Sequence, residues 1–83
     1  MLQQPNLSGV TNIKELKRRL KDFTLQEKCE ILSYWINEIN NEVEIAIRQG
    51  NNALAIWRMA QAAMFEDVLF EYERALVKEG ALL

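Results

Sequence analysis

Two carboxylate pairs stand four residues apart in this chain, Glu38 with Glu42 and Asp67 with Glu71. On a helix that spacing puts both members of a pair on one face. Such oxygens can ligate a hard divalent cation, or they can simply face water as an acidic row, which is the reading expected here. A di-metal carboxylate bundle draws on Glu-x-x-His motifs, and the chain has no histidine. The same lack removes histidine as a general base and removes the Ser-His-Asp and Cys-His nucleophile pairs. The single cysteine, Cys29, excludes an internal disulfide. A reactive thiol needs an exposed, electropositive setting, whereas Cys29 falls on an apolar helical seam and reads as a small core hydrophobe. There is no glycine-rich phosphate loop, no GxSxG and no Cys/His metal spacing. The expectation is a protein that is not an enzyme and that uses no metal or cofactor.

Binding chemistry is better represented. Lys14, Lys17, Arg18 and Lys21 share one arc of a short helix. Four cations so placed can track phosphates or meet an acidic protein. No Arg, Asn or Gln cluster accompanies them to read base edges, and no aromatic lies between them for stacking. Residues 1–28 carry a net charge of +3 and residues 29–83 a net charge of −5. An acidic body repels a duplex, so a protein partner is the leading expectation. The alternatives are a nucleic-acid-binding regulator using paired basic helices, or an inhibitor whose rows of Glu66, Glu73, Asp67 and Glu71 mimic nucleic acid. Of seven aromatics, Tyr34 and Phe70 fall outside the predicted core arcs. Large rigid aromatics in such places serve as interface anchors. The candidate partner-binding residues are therefore Lys14, Lys17, Arg18, Lys21, Tyr34 and Phe70.

The elements that must position these residues are helical. With 49% apolar and 27% charged residues in 83, the composition is that of one globular domain rather than a disordered chain. One proline and three glycines do not suit a turn-rich β protein. The spacing predicts an all-α fold: a long antiparallel hairpin preceded by a short basic helix. Residues 1–11 read as an irregular arm, anchored only by Leu2, Leu7 and Val10, and residues 12–83 as a single helical domain. The first helix is placed at about 12–23, with Asn12 as cap and Ile13, Leu16, Leu20 and Phe23 on its buried face. The second is placed at about 25–49 behind a Thr24/Glu27 capping box. Leu25, Cys29, Leu32, Ile36, Ile39, Val43 and Ala46 recur there in steps of four and three, a coiled-coil-like seam; Ile31, Tyr34 and Ile45 fall outside it. Gly50 and the asparagines after it form a tight link to a third helix at about 53–79.

That third helix is apolar on two sides. Leu54, Trp57, Phe65, Val68, Tyr72 and Leu76 lie on the arc that faces the second helix, as do Met64, Leu69 and Ala75. Ile56, Met59, Ala63, Phe70 and Val77 project from the opposite side. A helix with two apolar faces is buried on two faces, and a helix of about 12 residues is too short to cover a stripe roughly 30 Å long. The expectation is a homodimer, a dimeric helical bundle with those five residues at the subunit interface. The start of the sequence has no secretory pattern, and no run is long and apolar enough to span a bilayer. A cytoplasmic protein with no membrane association is expected.

Overall fold

The computed structural model describes residues 5–80; Leu2 and residues 81–83 of the expected domain lie outside them. Three helices follow in order, α1 (Ile13–Leu20), α2 (Leu25–Arg48) and α3 (Asn52–Lys78). Among the described residues there is no strand. α2 and α3 pack along one another as the predicted antiparallel hairpin, and α1 lies against α3.

Each helix begins where the sequence provides a cap. Asn12 accepts a hydrogen bond from Glu15 N at 2.8 Å. The capping box before α2 is complete: Glu27 N donates to Thr24 Oγ1 at 3.1 Å and Thr24 N donates to Glu27 Oε1 at 2.8 Å. Asn51 accepts from Leu54 N at 3.2 Å. These side chains satisfy amides that a helix start leaves unpaired. The hairpin link is equally specific. Gly50 adopts φ 74°, its N–H reaches Ile47 O, and Asn51 N reaches Ala46 O at 2.8 Å. This pair of bonds is the Schellman ending, which needs a left-handed residue where glycine alone has no Cβ penalty.

Three expectations change. α1 stops at Leu20, not Phe23, because Phe23 N turns back to Leu20 O and Thr24 must already be extended to cap α2. Ile13, expected on the buried face, is 45% exposed. The arm supplies the core in its place: Leu7 and Val10 are buried with Leu16 and Leu20. Ile31, read as lying off the seam, is buried in the same cluster, because the arm and α1 widen the arc that the hairpin covers.

The face of α3 toward α2 also shifts. Leu54 and Trp57 are exposed, and Ala55, Gln61 and Ala62 are buried instead. Near the tight link the buried residues are small, Ala46 and Ala55, and small residues let two backbones approach with large side chains left at the flanks. Farther along, Phe65, Val68, Tyr72 and Leu76 are buried as expected. On α2, Leu32, Ile39 and Ala46 are buried and the other seam residues are half-buried.

Candidate functional site

The basic arc of α1 is divided by its own ion pairs. Lys17 Nζ bonds Glu71 Oε2 at 2.7 Å and ties α1 to α3. Arg18 and Arg19 both grip Glu15, at 2.6 and 2.8 Å. The hydrogen bond from Arg18, then that from Arg19, lowers the Glu15 carboxyl from 4.5 to about 2. The bond to Glu71 raises the Lys17 ammonium above its ordinary value. Lys14 and Lys21 take no part in these pairs and stand exposed. Of the four predicted cations, two therefore serve the helix's own architecture, and two face outward.

A pH effect follows from Glu15. Its folded-state pKa is depressed, so the stability it contributes is complete above about pH 4.5 and is lost as pH falls toward about 2. In urea denaturation across that range, the advantage of the natural protein over Glu15→Gln is expected to shrink as acid is added and to vanish near the bottom. An advantage that stays constant from pH 6 to pH 2 contradicts the assignment.

Both carboxylate pairs likewise have one member engaged. Glu71 holds Lys17, and Glu42 Oε2 holds Arg58 Nε at 3.1 Å. Among the described residues, no three Cys, Asp or Glu side chains gather as a metal would require. Cys29 is half-buried, and burial pushes its thiol up, with Glu73 and Glu30 adding to the rise. It lines an open groove with Gln26, Glu30, Ser33, Glu73 and Leu76. A thiolate is disfavoured in that acidic, partly dry setting.

The apolar stripe of α3 is open. Ile56 is 67% exposed, Met59 55%, Phe70 61% and Val77 51%, with Ala63 exposed between them. Nothing in the described part of the chain folds over them, since α1 and the arm pack on other faces. Phe70 lies under the Arg74 guanidinium at 5.7 Å. Two open grooves flank this pair. One, of about 420 Å³, is bordered by Asp67, Glu71 and Lys78, and the other, of about 330 Å³, by Glu73 and Val77. Tyr34 is also exposed, on α2, where it meets the Trp35 ring edge-on at 5.5 Å. The chain matches no protein-family model, no curated protein and no solved structure.

One polar cluster went unforeseen. Gln61 is 4% exposed. Its Nε2 donates to Ser8 O at 2.9 Å and to Val10 O at 2.8 Å, and its Oε1 accepts from Arg58 Nη1 at 2.7 Å. Arg58 Nη1 also reaches Ser8 O at 2.8 Å. Together they strap the arm to α3. The signal was present: Gln61 sits four residues before Phe65 and seven before Val68, on the ladder of core positions. A polar residue on that ladder needs partners, and the arm's carbonyls are those partners.

Proposed function

We propose that this protein is a non-enzymatic interaction module that acts by occupying a protein partner, and that it does so as a homodimer in the cytoplasm. The observation that carries the reading is the open stripe of Ile56, Met59, Ala63, Phe70 and Val77 on α3. A chain of this size has little apolar area to spare, and leaving such a stripe in water forgoes burial worth about 25 cal/mol per Å². A second subunit recovers it. The partner surface is then formed by Tyr34 and the outward cations Lys14 and Lys21, with Arg18 at their edge. A protein partner is favoured over nucleic acid because residues 29–83 carry a net charge of −5, which repels a phosphate backbone along the body of the molecule.

Sedimentation or light scattering at micromolar concentrations is expected to return about twice the monomer mass; a monodisperse monomer would sink the dimer. Affinity capture from the native host tests the rest. A protein retained by the natural chain and lost with Tyr34→Ala plus Lys14→Glu and Lys21→Glu supports occupancy through that surface. Retention unchanged by the three substitutions counts against it. Nucleic acid retained with steep salt dependence would reverse the choice of partner.

A further inference from the structure

We propose that the arm is a releasable strap latched by Arg58, and that Glu42, a residue of α2 that reaches the arm through Arg58, is the positioning residue that sets the strength of the latch. The device is internal to one chain and stands apart from the dimer and from any partner.

The latch is a closed ring of polar groups. Arg58 Nη1 donates to Ser8 O and to Gln61 Oε1, and Gln61 Nε2 donates to the same Ser8 O. Both hydrogens of Nη1 and both lone pairs of the carbonyl are thereby used. The second amide hydrogen of Gln61 goes to Val10 O. The arm contributes only backbone carbonyl oxygens to these bonds. Its apolar share of the grip comes from Leu7 and Val10, which are buried in the core cluster.

The ring has a charge to place. The Arg58 side chain is 17% exposed, and the oxygens of Ser8 and Gln61 that it meets are neutral. A cation withdrawn from water needs an anion beside it. Glu42 supplies that anion: its Oε2 lies 3.1 Å from Arg58 Nε. Trp57 supplies a wall, with its ring centre 4.6 Å from the guanidinium carbon, a cation–π distance. The carboxylate on one edge and the ring on one face fix the guanidinium plane, and Nη1 is left directed at the arm.

Without the carboxylate, water draws the guanidinium outward. Ser8 O and Gln61 Oε1 then lose Nη1 together, because one nitrogen serves both. The arm keeps its two apolar anchors and the Gln61 amide, and it opens more often. Such opening is local, since the contact between α2 and α3 does not depend on the arm along its whole length. An ion pair between the two long helices thus governs a segment that precedes both of them. Release of the strap also frees the end of α1 that carries Lys14.

The test is amide hydrogen exchange on the full chain, under conditions where reclosing outpaces exchange and rates report the open population. Glu42→Ala is expected to speed exchange at Val10 about fivefold. Ile39 and Phe65 are expected to change by less than about twofold, the ordinary reach of an exposed substitution. Equal acceleration at all three would show that Glu42 supports the fold at large, and it overturns the proposal; so does an unchanged rate at Val10. Glu42 is exposed, so its removal does not threaten the core. Arg58→Lys keeps the charge but lacks the planar fork that serves several oxygens at once. It too is expected to speed Val10 about fivefold, and natural protection in that variant rejects the latch. The relay itself is tested by adding Glu42→Ala to Arg58→Met. The added substitution is expected to change exchange at Val10 by less than about twofold. A further fivefold rise would mean that Glu42 acts by a route other than Arg58.

Discussion

Phe65→Ala is expected to lower the stability of the chain by about 3–5 kcal/mol. Phe65 is the largest fully buried side chain, at 0% exposure, and it shares one core with Leu7, Leu16, Leu20 and Leu32. It therefore joins the arm, α1 and the hairpin at a single point. Truncating a buried phenylalanine costs about 3–5 kcal/mol, the transfer of the ring plus the cavity left behind. A chain of 83 residues has a total stability of roughly 4–12 kcal/mol at ~0.05–0.15 per residue. The loss consumes much of that total. Guanidinium denaturation followed by circular dichroism should show a large fall in midpoint with little change in slope. Phe70→Ala is the control: the same truncation on the same helix, at a ring that is 61% exposed. Measured on the monomer at high dilution, it is expected to stay within about 0.5 kcal/mol of the natural chain, as surface changes do. At concentrations where the proposed dimer would form, the same variant is expected to lower apparent stability, because a folded dimer's midpoint rises with concentration. A Phe65→Ala chain as stable as Phe70→Ala would mean that the core has been wrongly located.

What could be read from the sequence divides along a physical line. Caps and the helical period are local, and they place the three helices, although α1 ends at Leu20 and Ile13, Leu54 and Trp57, on predicted buried arcs, are exposed. Thr24 with Glu27 marks the start of α2, and Gly50 marks the link because its conformation is one that residues with a Cβ rarely adopt. The outward stripe of α3 was legible for the same reason: a face is defined by spacing along one helix. Packing between elements distant in sequence was not legible. Ile31 looked surplus to its seam until Leu7, Val10, Leu16 and Leu20 came to lie in the same cluster. Trp57 looked like core until the small residues Ala46 and Ala55 set how closely the hairpin closes near its link. The cations of α1 share an arc by their spacing, but spacing along α1 does not reveal that Lys17 meets Glu71. That partner sits on another helix.

The arm is the sharpest case of such non-local packing, and Gln61→Leu tests it. In the natural chain the Gln61 amide donates to two arm carbonyls, and Arg58 holds the amide oxygen while reaching Ser8 O itself. Leucine fills similar volume and donates nothing. Ser8 O keeps the Arg58 guanidinium, but Val10 O loses Gln61 within a dry site, because Val10 is only 2% exposed. A buried acceptor left unsatisfied costs about 1–3 kcal/mol. The expected result is a loss in that range, concentrated in the arm: faster amide exchange at Val10 and easier proteolysis between Asn6 and Asn12, with α2 protected as before. Gln61→Glu sharpens the test. Its carboxylate would face two carbonyl oxygens with no hydrogen to offer, so the arm should release further as pH rises and the acid ionises. Since Leu7 and Val10 fill the core beside α1, loosening the strap also loosens the helix that presents Lys14 and Lys21. Weaker capture of the proposed partner by Gln61→Leu, with those cations untouched, would then be a consequence of positioning. Unchanged arm protection in Gln61→Leu would show instead that apolar burial of Leu7 and Val10 alone holds the segment down.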